Sequence, residues 1–156
     1  MSPNVKAVDL AFEEYSDTLD MSFFAIIVSD IDQARTWYQD CLMARVVNEY
    51  NHPDGRFSQV NLSLESVNIE LIELKNSFSQ EEAIKRSGSQ NSRMQGLFKV
   101  GFSTSNFDHW LVNFERCGTK IQDEVLTDPV SGKRMTMVFD PDHNRLQIFE
   151  QKEIDK

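Results

Sequence analysis

Histidine and cysteine are scarce in this chain, with three His and two Cys among 156 residues. That scarcity excludes a His-rich or a Cys-rich metal cluster, since neither residue type alone supplies about four ligands. With only Cys41 and Cys117 a disulfide framework is not expected, and a reducing cytoplasm is the expected compartment. Glycine is equally sparse, at six residues, so no glycine-rich phosphate loop is available. Positive charge is in deficit: 16 Lys and Arg stand against 25 Asp and Glu, a formal net charge of −9. Nucleic-acid backbones and anionic membrane surfaces are recognised by cations, so neither is expected as a partner. No run approaches the roughly 18 consecutive apolar residues of a membrane span. Met1 to Asp20 lacks the basic start and apolar middle of a signal peptide.

What is present suits a packed domain. Hydrophobic residues make up 40% of the chain, and eleven Phe, two Trp and three Tyr supply bulk for a core. The length fits one domain, or two small modules sharing a core. Val5, Val8, Phe12, Tyr15 and Leu19 recur at helical spacing, predicting an amphipathic helical extension over 1–20. A β-branched and aromatic run, Phe23 to Val28, predicts a buried strand. Asp30, with Gln33 three residues on, predicts a capped helix start. Ile31, Ala34, Tyr38, Cys41 and Leu42 share that helix's inner face. Strands are expected over 44–50, 56–64 and 67–75, completing a first module over 21–75. Residues 76–96 are rich in Ser, Gln and Asn and predict a linker with one or two helical turns around Glu81–Arg86.

Then the pattern restarts in a second module over 97–156. A strand is expected over 98–104, followed by a helix capped by Asn106 and closed by Gly118. Phe107, Trp110, Leu111, Phe114 and Cys117 line that helix's inner face. Strands follow over 120–126, 134–139 and 144–150. At one constant offset Asp30 falls on Asn106, Ile31 on Phe107, Tyr38 on Phe114 and Cys41 on Cys117. The order βαβββ, linker, βαβββ makes an α+β fold in which one unit cannot cover its own sheet, so two should pack as a pseudo-symmetric pair.

Two segments carry a resemblance. The first is Phe23-Phe24-Ala25-Ile26-Ile27-Val28-Ser29-Asp30-Ile31 with Trp37-Tyr38-Gln39-Asp40-Cys41-Leu42. The second is Phe139-Asp140-Pro141-Asp142-His143-Asn144-Arg145-Leu146-Gln147-Ile148. In this order they resemble the vicinal oxygen chelate superfamily of glyoxalases, bleomycin-resistance and fosfomycin-resistance proteins, extradiol dioxygenases and methylmalonyl-CoA epimerases. The likeness runs over about 22–151. Met43 and His143 stand where the pattern has glycine, and the second place calls for a left-handed backbone. The resemblance implies two βαβββ modules forming a cup-shaped eight-stranded mixed sheet, a homodimer, and a divalent metal in the cup that two substrate oxygens chelate.

Carried onto this chain, the family's metal places fall on Phe23 and Lys99 in the opening strands and on Glu70 and Gln147 in the last strands. Such a metal takes His, Glu or Gln. Phe23 cannot ligate and Lys99 is a cation at neutral pH, so no divalent metal or other cofactor is expected. His52 and His143 fall in turns and His109 on the second helix, away from these places. Lys99 and Glu70 are read either as a pair that binds an anionic ligand or moves protons, or as a salt bridge filling the vacated site. Phe23 and Phe102 are read as cup residues, Gln147 as a polar ligand contact, and Arg134 as a carboxylate or phosphate holder or a surface turn residue. Three functions follow. The first is metal-free binding of a small organic molecule in the cup, in the manner of bleomycin-resistance proteins. The second is a lyase, isomerase or cyclase with Glu70 as base and Lys99 stabilising an oxyanion. The third is a scaffold whose cup is filled by its own side chains.

Overall fold

The computed structural model describes residues 21–151 apart from 66, 89–94 and 120, with the backbone alone at 122–124. The expected helix over 1–20 lies outside the described residues. The first module runs β1 (Phe23–Val28), α1 (Ile31–Leu42), β2 (Arg45–Asn51), β3 (Phe57–Leu64) and β4 (Val67–Leu74). A short helix, α2 (Gln80–Arg86), follows. The second module runs β5 (Val100–Thr104), α3 (Phe107–Arg116), β6 (Ile121–Thr127), β7 (Arg134–Phe139) and β8 (Arg145–Glu150). The sheets have matching orders, β1-β4-β3-β2 and β5-β8-β7-β6, each with one parallel pair beside antiparallel ones. The paired βαβββ α+β architecture is therefore the one expected. The eight strands form two four-stranded sheets, with no ladder joining β1 to β5 among the described residues.

Alternation decides which face of each sheet is buried. Phe24, Ile26 and Val28 of β1 point into the core with Ile69 and Leu71 of β4 and Val60 and Leu62 of β3. Helix α1 covers that face with Ala34, Tyr38, Cys41 and Leu42, the periodic set seen in the sequence. Phe107 and Phe114 of α3 do the same over Val138, Leu146 and Ile148.

Local signals fix the first helix firmly. Asp30 is extended and its Oδ1 accepts the Gln33 amide at 2.9 Å, while Glu73 Oε2 accepts the Ile31 amide at 2.8 Å from the end of β4. The second helix departs from expectation. Asn106 makes no capping hydrogen bond, because its ψ of 57° leaves the extended geometry a cap needs. Its amide instead donates to Thr104 Oγ1 at 3.1 Å. Met43 (φ 57°) and His143 (φ 63°) both adopt the left-handed conformation. Strand β5 begins at Val100, later than Phe98, whose ring lies under the Arg145 guanidinium at 4.7 Å.

The modules meet through their helices and the β7–β8 turn. Tyr38 OH donates to Asp140 Oδ2 at 3.0 Å, Trp37 Nε1 to Thr119 Oγ1 at 3.2 Å, and Asn113 Nδ2 to the Cys41 carbonyl at 2.8 Å. Asp140 is buried and also accepts from the Asp142 and Asn144 amides at 3.0 and 2.8 Å and from Asn144 Nδ2 at 2.9 Å. Burial pushes its carboxyl above the ordinary aspartate range, an effect that the Asn144 donors and the Tyr38 hydroxyl oppose. Tyr38→Phe removes one donor from this buried acid and is expected to cost about 1.5–3 kcal/mol in a urea melt, with the fold retained. The folded protein holds the Asp140 proton more tightly than the unfolded chain does. Its stability contribution therefore falls as pH rises from the ordinary aspartate value, about 3.9, through the higher folded one. Urea melts over that interval should show the wild type losing stability relative to Asp140→Asn; parallel curves would contradict this.

Candidate functional site

Residues on the sheet faces turned away from the helices form the first candidate site. In β1, Phe23, Ala25 and Ile27 take that side, and Phe23 is 54% exposed. Ala25 pairs with Glu70 of β4, which in turn pairs with Asn61 of β3. Asn61 accepts a hydrogen bond from Gln59 Nε2 at 2.8 Å on the same face. The second module repeats the arrangement: Gly101 pairs with Gln147, and Gln147 with Met137. A side chain at Gly101 would meet nothing within 4 Å, so the space above β5 is open. Each sheet thus presents a small residue, Ala25 or Gly101, beside a polar one, Glu70 or Gln147. The two polar residues sit at equivalent places.

The remaining expected site residues divide. Phe23 lies on this open face as read from the sequence. Glu70 is half-buried, and among the described residues it has no ion-pair partner. The expected Lys99–Glu70 pair is not formed. Lys99 is exposed and precedes β5, and its charge is felt by Asp128 instead, whose carboxyl is held low chiefly by Ser131. Gln147 is buried and its Nε2 contacts Met135 Sδ. Phe102 lies on the opposite face from the one expected: its ring meets Phe24 edge-on at 6.0 Å, within the core between modules. It is the equivalent of Ile26, not of Phe23, and one residue of offset in a strand changes the face. Arg134 is also on the helix side. Its guanidinium bridges Asp108 and Glu150 and lies 4.9 Å from the centre of the Phe107 ring. That network consumes the donors a ligand anion would need.

The donor set does not fit the divalent ion that the resemblance implies. Phe23 has no donor atom, Lys99 brings a charge of the wrong sign, and the Gln147 amide is turned to a methionine sulfur. Glu70 alone is anionic. His109 is on α3, and His143 is in the β7–β8 turn. His52 is in the turn after β2, where its ring lies between Asp54 and Arg56 and 5.3 Å from the Phe57 ring.

A second candidate was not legible in the sequence. Strands β1 and β5 are edge strands, and a cavity of about 680 Å³ opens where they approach. Phe24, Leu42, Leu64, Phe102, Trp110 and Ile148 give it an apolar lining, and its size suits a small organic molecule. The sequence favours packing over ligand stacking for Trp110, because its place at the seam depends on how the two modules dock.

Comparison with known proteins bears on the fold and the family. The family model for the Glyoxalase/Bleomycin resistance protein/Dioxygenase superfamily matches residues 15–148. The uncharacterized protein YwkD of Bacillus subtilis (strain 168) is 29% identical over 127 residues, covering 81% of this chain and 93% of that protein. A glyoxalase family protein from Enterococcus faecalis superposes with a TM-score of 0.72 at 21% identity, covering 84% of this chain and 97% of that one. Glyoxalase I from Zea mays gives a TM-score of 0.67 at 14% identity, covering 85% of this chain and 45% of its own longer one.

Proposed function

We propose that this chain, which belongs to the Glyoxalase/Bleomycin resistance protein/Dioxygenase superfamily, binds a small, partly apolar cation on the open face of its sheets without a divalent metal. The supporting observation is Glu70, a half-buried carboxylate with no ion-pair partner among the described residues, set on a floor kept low by Ala25. A carboxylate so placed gains most from a partner that brings its own positive charge. Exposed Phe23 on the same face offers a ring for apolar or cation–π contact. The net charge of −9 favours approach of a cation. Isothermal titration with a panel of aromatic amines and their neutral analogues tests this. The amines should bind, and Glu70→Gln should weaken them at least tenfold, about 1.4 kcal/mol, with neutral analogues unaffected. Stoichiometric zinc, nickel or iron binding that confers turnover would overturn it.

The same carboxylate supports a second reading, a lyase, isomerase or cyclase in which Glu70 abstracts a proton from a small oxygenated substrate. Lys99 is the oxyanion stabiliser in this reading, drawn by substrate from its exposed place near Asp128. Turnover of such metabolites should then vanish in Glu70→Gln and fall steeply in Lys99→Met, with unfolding curves unchanged. Rates like wild type in both variants would remove this mechanism.

A further inference from the structure

We propose that Cys41 and Cys117 are a peroxide-reactive thiol pair that closes as a disulfide between the two modules. They occupy equivalent places at the C-terminal ends of α1 and α3. Those ends are drawn together by Asn113 Nδ2 donating to the Cys41 carbonyl at 2.8 Å and by Trp37 Nε1 donating to Thr119 at 3.2 Å. Cys117 and Thr119 are also among the neighbours that shift the Cys41 thiol, Cys117 raising its pKa and Thr119 lowering it. Both cysteines also line a groove of about 970 Å³ between the helices, beside Trp37 and Asp40, which gives a small oxidant a way in.

The two sulfurs differ in a way that orders the chemistry. Cys41 is buried, and burial with the neighbouring Cys117 thiol pushes its pKa well above the ordinary thiol value, so it stays protonated near neutral pH. Cys117 is half-buried and meets the groove. A hydroperoxide therefore reacts first at Cys117: its sulfur takes the distal oxygen to form the sulfenic acid, and the peroxide is reduced to the alcohol or water. The Cys41 sulfur then attacks the Cys117 sulfur. The S–O bond breaks, the hydroxyl leaves as water with the Cys41 proton, and the S–S bond forms. Two thiols lose two electrons in all and one peroxide gains them.

Hydrogen peroxide titration of the purified chain tests this. Under denaturing, non-reducing conditions the intact mass should fall by two hydrogens, and peptide mapping should join the Cys41 and Cys117 peptides within one chain. Dithiothreitol should reverse the change, and the oxidised form should melt roughly 5–10 °C higher, because the bridge closes a long loop. Cys41→Ser should leave a Cys117 sulfenic acid that dimedone traps, whereas Cys117→Ser should leave Cys41 unreactive. The proposal is overturned if wild-type Cys117 passes to the sulfinic acid with no intrachain link, or if Cys41 oxidises as fast in Cys117→Ser as in wild type.

Discussion

The Asp140 carboxylate is buried with no cation beside it among the described residues, and how its charge is met ties the two modules together. Four donors surround it: two amides and the Asn144 side chain from its own turn, and Tyr38 OH from the other module. An unpaired buried charge is costly, and hydrogen bonds to the charged form offset that cost only when their geometry is held. The turn must therefore keep its shape, including the left-handed His143, and α1 must stay docked against the second module. Tyr38 is itself fully buried, and desolvation followed by Asp140 raises its pKa, so it remains a donor. One hydrogen bond thus couples the inner face of α1 to the turn that launches β8.

With α1 and α3 fixed on one side of the sheets, no described helix covers the other side of the first sheet, where Phe23, Ala25 and Ile27 are exposed. That is why Glu70, Asn61, Gln59 and Phe23 share an accessible surface while Arg134 and Phe102 do not. The same docking creates the seam cavity between the two edge strands and brings Cys41 to Cys117 at the helix ends. Cavity and groove are therefore products of one interface, whereas the candidate site belongs to the first sheet.

Much of the fold was legible because its signals are local. The alternation in Phe23–Val28, the spacing of Ala34, Tyr38 and Cys41, and the Asp30 cap each depend on neighbours a few residues away. Where local signals competed, the reading slipped. Asn106 has the right side chain for a cap but the wrong backbone, and Lys99 falls just before β5 and is exposed, away from Glu70. Phe102 resembles a cup residue by type, but it is equivalent to Ile26, and alternation along the strand puts it in the core.

By itself the sequence determined the pair of βαβββ modules, the family to which they belong, and the poverty of metal donors at Phe23 and Lys99. These follow from periodicity, short motifs and side-chain chemistry, which need no knowledge of distant contacts. Only the tertiary structure decided that Tyr38 meets Asp140, that Arg134 is held by Asp108 and Glu150, and that Glu70 meets no cation among the described residues. Each of these joins residues far apart in the chain, and whether two such side chains meet is set by how helices and sheets pack, not by the spacing of letters.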